Sequence, residues 1–266
     1  MKKCFAGVSA LLIACTIALP ASAQQRGQRA GVPAGTKKPS APAPKHDITG
    51  VWEGPVIPAK KPAPPMTPWA QQLFDAAKPL SGPRALAIAK TNDPLVSCDP
   101  LGFPRASVFE TRGFAFEQTP KRMLELYQYM RMWREIWTDG RKLPTNVGAT
   151  RGETSDPRYY GYSIGEWADD YTFVVKTTGF NEVAWADELG HPRSQDAVVE
   201  ERYHRTDHDN LELTVTINDP KSYTKPFEVM KQVYTWAAKQ EFEEQLCIPS
   251  EAIEYRETFR AAGEDK

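Results

Sequence analysis

Residues 47–54, Asp-Ile-Thr-Gly-Val-Trp-Glu-Gly, alternate apolar and polar side chains and stop at glycine and proline, the pattern of a short half-buried strand. The alternation then lapses. From Pro55 to Pro104 the chain is studded with proline and carries one helix signal: Thr67 as N-cap, Pro68 at the first helical position, and Trp69, Leu73 and Phe74 at helical spacing. Beyond Ser107 the two-residue period returns in segments 108–118, 122–129 and 132–138, then in 160–167, 171–178, 197–205, 211–218 and 227–236. Segment 211–217, Leu-Glu-Leu-Thr-Val-Thr-Ile, alternates strictly, so one face is buried and the other wet. Short turns between neighbours predict antiparallel hairpins, and nine strands are enough to close a barrel. A final segment, 250–262, begins with Ser250 as N-cap and reads as a helix. The expected fold is mainly β: an antiparallel meander closing as a barrel, with the proline-rich excursion over one opening and the C-terminal helix packed outside.

The first residues change the picture of where such a domain works. Lys2 and Lys3 precede an apolar run from Phe5 to Leu19 and the small-residue site Ala21-Ser22-Ala23, which together read as a signal peptide over 1–23. A membrane span needs about 20 apolar residues, and Pro20 closes this run early. Leu12-Ile13-Ala14-Cys15 also has the form of a lipoprotein site, which would tether the chain through Cys15; the apolar residues after Cys15 favour the soluble form, periplasmic or extracellular. Residues 24–45, rich in Gly, Pro, Ala and Lys, read as a disordered spacer, and 46–266 as a single domain. Loss of Lys2 and Lys3 with the signal leaves 31 basic against 34 acidic side chains, a net charge of −3, which argues against a nucleic-acid partner. Partner proteins are unspecified. Of the four cysteines, Cys98 and Cys247 remain in the mature chain, and in an oxidising compartment two most simply pair. The alternative, a metal-binding or catalytic thiol pair, lacks a C-x-x-C spacing.

Gly50-Val51-Trp52 on the first strand resembles the G-x-W signature of lipocalins and other calycins, which implies a lipocalin-like barrel. A longer resemblance covers nearly the whole mature chain, to an uncharacterised family of secreted bacterial β-rich proteins. It is carried by Cys98-Asp-Pro-Leu-Gly-Phe-Pro-Arg105, Trp137-Thr-Asp-Gly-Arg141, Tyr160-Gly-Tyr-Ser-Ile-Gly-Glu-Trp167, Thr178-Gly-Phe-Asn181, Glu201-Arg202-Tyr203 and Asp219-Pro-Lys-Ser-Tyr-Thr-Lys-Pro226. The resemblance implies an exported β-rich fold and no particular reaction. Where that family is expected to carry a histidine this chain has Arg193, with its own histidine at His191.

Candidate chemistry follows from which faces turn inward. A five-residue loop at 206–210 puts Val199, Glu201 and Tyr203 on one face with Leu213, Val215 and Ile217, leaving Glu201 as the carboxylate on an apolar surface. Such a group has a raised pKa and suits acid or base work, unless Arg134 or Arg202 pairs with it or a register slip turns it to solvent. A turn at Met130-Arg131 groups Leu124, Leu126, Trp133, Glu135 and Trp137 on one face and Tyr127, Arg134 and Ile136 on the other, and either could line a cavity. Asp139-Gly140 reads as a type I′ hairpin turn, or as part of a mouth where Asp139 and Arg141 orient a polar ligand group. Two functions are therefore expected. The first is binding of a small apolar or aromatic molecule in a barrel pocket walled by Tyr127, Trp133 and Trp137 and oriented by Arg134, Asp139 and Arg141. The second is a hydrolase or lyase in which Glu201 is the acid or base, Arg202 or Arg134 steadies negative charge and His191 assists. A third class, an envelope interaction protein with a filled barrel, has neither site. No cofactor is required. His204 and His208 lack the helical face that makes an H-x-x-x-H pair a metal site, and Gly161-Tyr-Ser-Ile-Gly165 lacks the strand-to-helix elbow of a nucleophilic serine.

Overall fold

The computed structural model describes residues 40–55, 58–109, 113–145, 147 and 156–264; the expected signal peptide and most of the expected spacer lie outside them. Nine strands form a closed barrel in chain order: β1 (Gly50–Glu53), β2 (Gly113–Thr119), β3 (Arg122–Tyr127), β4 (Trp133–Trp137), β5 (Tyr162–Trp167), β6 (Thr172–Thr178), β7 (Val198–Arg205), β8 (Asn210–Asn218) and β9 (Phe227–Trp236). β1 closes the ring on β9 through Trp52↔Trp236 and Glu53↔Thr235. Gly50 sits at φ +109°, and a Cβ there would meet Trp236 Nε1 at 2.7 Å, so glycine lets the closing strand lie against that indole.

One junction departs from the antiparallel meander. β4 and β5 run parallel, paired only at Ile136↔Ser163 and Trp137↔Ile164. The reason is geometric: strand directions cannot alternate all the way round a closed ring with an odd number of members, so one neighbouring pair must be parallel. A parallel pair also needs a long return connection, here residues 138–161. Asp139-Gly140 is therefore not a hairpin turn; it starts that return, with Gly140 at φ +81°.

The β7–β8 hairpin has the expected register, with Val199↔Ile217, Glu201↔Val215 and Tyr203↔Leu213. β3 and β4 pair two residues out of the expected step, Leu126↔Trp133 and Leu124↔Glu135, because the turn is centred one position earlier than Met130-Arg131. An even shift leaves every side chain on its face. The lumen receives Phe114, Phe116, Met123, Tyr127, Ile136, Phe173, Val175, Tyr203 and Tyr234, all buried. Phe114, Phe116, Tyr203 and Tyr234 meet edge to face at centroid separations of 4.8 to 6.3 Å.

At one end the excursion folds inward. α1 (Pro68–Ala76) is capped by Thr67, whose side chain accepts from Ala70 N at 3.3 Å. Further on, Leu101–Phe109, including the one-turn helix α2 (Arg105–Val108), is buried throughout and plugs the barrel mouth. Arg105 ties the plug down through two bonds to Asp93, at 2.9 and 2.8 Å, with both side chains buried. At the other end Arg205 lies 5.0 Å from the Trp52 ring centroid and donates to Asp47 O and His208 O. Residues 40–45, expected in the spacer, lie against this end: His208 N donates to Ala41 O and Lys45 pairs with Asp170. Cys98 and Cys247 form a disulfide that joins the excursion to the segment before α3 (Pro249–Glu264), whose Arg256 donates to Ser97. No helix among the described residues is long and apolar enough to cross a membrane.

Candidate functional site

Five strands send polar side chains into the lumen at one level. Arg134 from β4 is at the centre, with Nε 2.6 Å from Glu125 Oε2, NH2 2.5 Å from Glu201 Oε2, and NH1 3.3 Å from both Ser163 Oγ and Thr177 Oγ1. The Tyr203 hydroxyl lies between the two carboxylates, donating to Glu201 Oε1 at 2.6 Å with Glu125 Oε1 3.1 Å away. Phe103 of the plug covers the guanidinium, 4.1 Å from its ring centroid, and Tyr127 lies beside the cluster with its hydroxyl 3.3 Å from Ser107 Oγ. All of these side chains are buried.

The charge balance of this cluster is uneven, because one guanidinium faces two carboxylates. Burial pushes Glu201 up from its ordinary 4.5 to about 7; Arg134 opposes the rise, Glu125 adds to it, and the bonds from Arg134 and Tyr203 oppose it further. Burial likewise raises Tyr203 and Tyr127 well above an ordinary phenol. A raised carboxylate beside a cation is the equipment of an acid or base, yet Glu201 is fully buried beneath Tyr203, Arg134 and the plug, and every acceptor it offers is directed at the protein. The other members of the expected acid–base set are elsewhere. Arg202, next along β7, points to the outer face and approaches Glu200 at 3.8 Å. His191 pairs with Asp187 on the loop before β7 and stacks on Phe74 of α1. Ser163 lies in β5 bonded to Thr177, not at an elbow.

The expected ligand-binding residues divide in the same way. Tyr127 and Arg134 face the lumen, whereas Trp133 and Trp137 face outward, Trp133 with 58% of its surface exposed. Trp133 and Trp137 therefore cannot wall a lumen cavity with Tyr127. They meet instead at the outer side of the β4/β5 junction, where pairing is confined to two positions. A cavity of about 500 Å3 there is lined by Trp133, Arg134, Trp137, Tyr160, Tyr162 and Arg158, with the Arg134 guanidinium itself directed into the lumen. Two more, of about 350 and 340 Å3, continue along the seam, and Trp137 and Arg141 border both.

Two arginines sit over aromatic rings in this groove. Arg141 is 3.5 Å from the Trp137 ring centroid and is fixed by Asp139, which accepts from Arg141 Nε at 2.9 Å and NH2 at 2.7 Å. Arg158 is 4.0 Å from the Tyr162 ring centroid and has no carboxylate partner among the described residues. Behind this wall Arg193 donates to Tyr159 O at 3.2 Å, and burial lowers it to about 9, with Asp219 and Glu182 opposing. The seam thus joins aromatic walls to one arginine, Arg158, without a carboxylate partner among the described residues, while Glu135, which also lines it, is paired with Arg122.

Sequence reasoning missed Glu125, Ser163 and Thr177 in the lumen cluster and Arg158 and Tyr162 in the seam. Glu125 shared its strand parity with Tyr127, so its inward direction was readable; Arg158 precedes β5, where no periodicity marks a face. Among the described residues no three His, Cys, Asp or Glu side chains converge as metal ligands: His204 bonds Thr172 and His208 bonds Asp209. Compared with family models, with curated proteins and with solved structures, the chain matches none.

Proposed function

We propose that this chain is an exported binding protein for a small ring-bearing molecule with an acidic group, held in the β4/β5 seam and not inside the barrel. The observation that carries the reading is the pair of arginine-on-ring stacks across one groove, Arg141 on Trp137 and Arg158 on Tyr162. Flat aromatic walls suit a ring; Asp139 occupies Nε and NH2 of Arg141, so the guanidinium edge offered to a carboxylate is that of Arg158, which has no carboxylate partner among the described residues. The 500 Å3 cavity falls within the range of small-molecule sites. Export is the role the N-terminal pattern and the disulfide fit together.

The test is a titration with 2-naphthoate followed by tryptophan fluorescence. Saturable quenching is expected, weakened at least tenfold by Trp137→Ala or by Arg158→Glu and weakened by salt. Absence of saturable binding, or equal affinity in both variants, would overturn the reading.

A further inference from the structure

A second cavity, of about 400 Å3, lies where residues 58–66 run beside β9, tied to it by the Lys60↔Met230 bridge and by Lys61 N donating to Val229 O at 2.7 Å. Its walls are apolar, among them Pro62, Ala63, Ile217, Phe227 and Val229. The polar groups at its edge are few, and most are already committed. Lys60 reaches Glu188 at 2.6 Å and the carbonyls of Val108 and Pro58 at 3.1 and 3.3 Å, so its charge is compensated and its three donors are used. The Tyr223 hydroxyl donates to Pro192 O at 2.7 Å.

His191 is the exception. Asp187 Oδ1 accepts from Leu189 N at 2.9 Å and from His191 N at 3.2 Å, while Oδ2 lies 2.6 Å from His191 Nδ1. A carboxylate already held by two backbone amides has only acceptor capacity left, so the ring nitrogen facing it carries the proton. Burial alone would raise Asp187, but the bonds from His191 and the amides more than reverse that, and its pKa is lowered. In the neutral imidazole Nε2 is then a lone-pair acceptor, with no partner among the described residues. Phe74 stacks on the ring at a centroid distance of 4.8 Å and keeps it from turning.

The cavity therefore offers apolar walls, no uncompensated positive charge and one fixed acceptor next to a carboxylate. An anion would be repelled by Asp187, and both ammonium groups at the edge are already paired, Lys60 with Glu188 and the more exposed Lys61 with Glu228. We infer that this cavity is a second binding site, selective for an uncharged ring-bearing molecule with a hydroxyl group that donates to His191 Nε2. It is independent of the seam, which shares none of its lining residues and has the opposite preference of charge.

The experiment is calorimetric titration of a Trp137→Ala/Arg158→Glu protein, in which the seam is disabled, with 1-naphthol, 1-methoxynaphthalene and 2-naphthoate. One equivalent of 1-naphthol is expected to bind, with 1-methoxynaphthalene at least tenfold weaker because it lacks the O–H. No binding of 2-naphthoate is expected. Adding His191→Phe, which keeps a ring against Phe74 and removes Nε2, should weaken 1-naphthol about tenfold and bring it level with the ether. Failure of 1-naphthol to bind, equal affinity for the ether, or an affinity unchanged by His191→Phe in a protein that still melts cooperatively would each overturn the inference. The ether comparison needs no change at His191, so it stands even if that variant does not fold.

Discussion

Glu201→Gln removes the second of two buried carboxylates that share one guanidinium, and the structure sets the sign and size of the effect. In the folded protein Glu201 ionises near pH 7 and in the unfolded chain near its ordinary 4.5. Between those values the folded state holds a proton that the unfolded state has released, so stability falls as pH rises. The favourable contribution is complete below pH 4.5 and gone above about 7. At 1.36 kcal/mol per pKa unit, the shift amounts to about 3 kcal/mol. Glutamine keeps the shape and the acceptor facing Arg134 but does not titrate, so this part of the pH dependence should vanish. The assay is urea unfolding with the disulfide intact, at pH 4 to 8, for both proteins. The free energy of the variant minus that of the parent should rise by about 3 kcal/mol across the window. Differencing cancels the histidines and surface carboxylates common to both proteins. Parallel curves would refute the reasoning, since they would mean that Glu201 ionises alike in both states.

Removing the shared cation should be more damaging than removing either anion: Arg134→Met leaves Glu125 and Glu201 without their partner and should cost about 3–5 kcal/mol in urea unfolding. Cys98→Ser/Cys247→Ser opens a link across a sequence separation of 149 residues and should lower stability by about 2–4 kcal/mol, read as a lower midpoint for the variant than for the oxidised parent. A Cβ on Gly165 would lie 2.4 Å from Phe173 and 2.8 Å from Ile136, so Gly165→Ala should cost about 1–3 kcal/mol in thermal unfolding, whereas an unchanged midpoint would mean that the inner face of β5 yields.

Most of the architecture was legible because alternation is a local signal. Each of the nine strands falls, to within one residue at Thr119 and Asn210, in a segment that alternation marks, and the loop length at 206–210 was enough to turn Glu201 inward against Val215. The pairing of Cys98 with Cys247 followed from counting. The parallel β4/β5 junction was missed because Asp139-Gly140 has the composition of a hairpin turn, although an odd strand count in a closed ring already demanded one such pair. The plug was illegible for a different reason. Residues 101–109 are buried on all sides, so they show neither a two-residue nor a 3.6-residue period. The candidate site was half visible. Trp133 and Trp137 were grouped with Tyr127 although Tyr127 has the opposite face: it points into the lumen and the two tryptophans point outward. His191 was noticed for its type, and its Asp187 partner, four residues before it in a loop, carries no signature that sequence alone reveals.

A small acidic ring compound held in the seam would be seen by native mass spectrometry of the protein exported with its own N-terminal segment, beside the same protein carrying Trp137→Ala and Arg158→Glu. The expected spectrum shows an added small-molecule mass on the parent, lost on denaturation under non-reducing conditions and absent from the double variant. Bare parent protein that also fails to take up 2-naphthoate, or an added mass that persists in the double variant, would contradict the account.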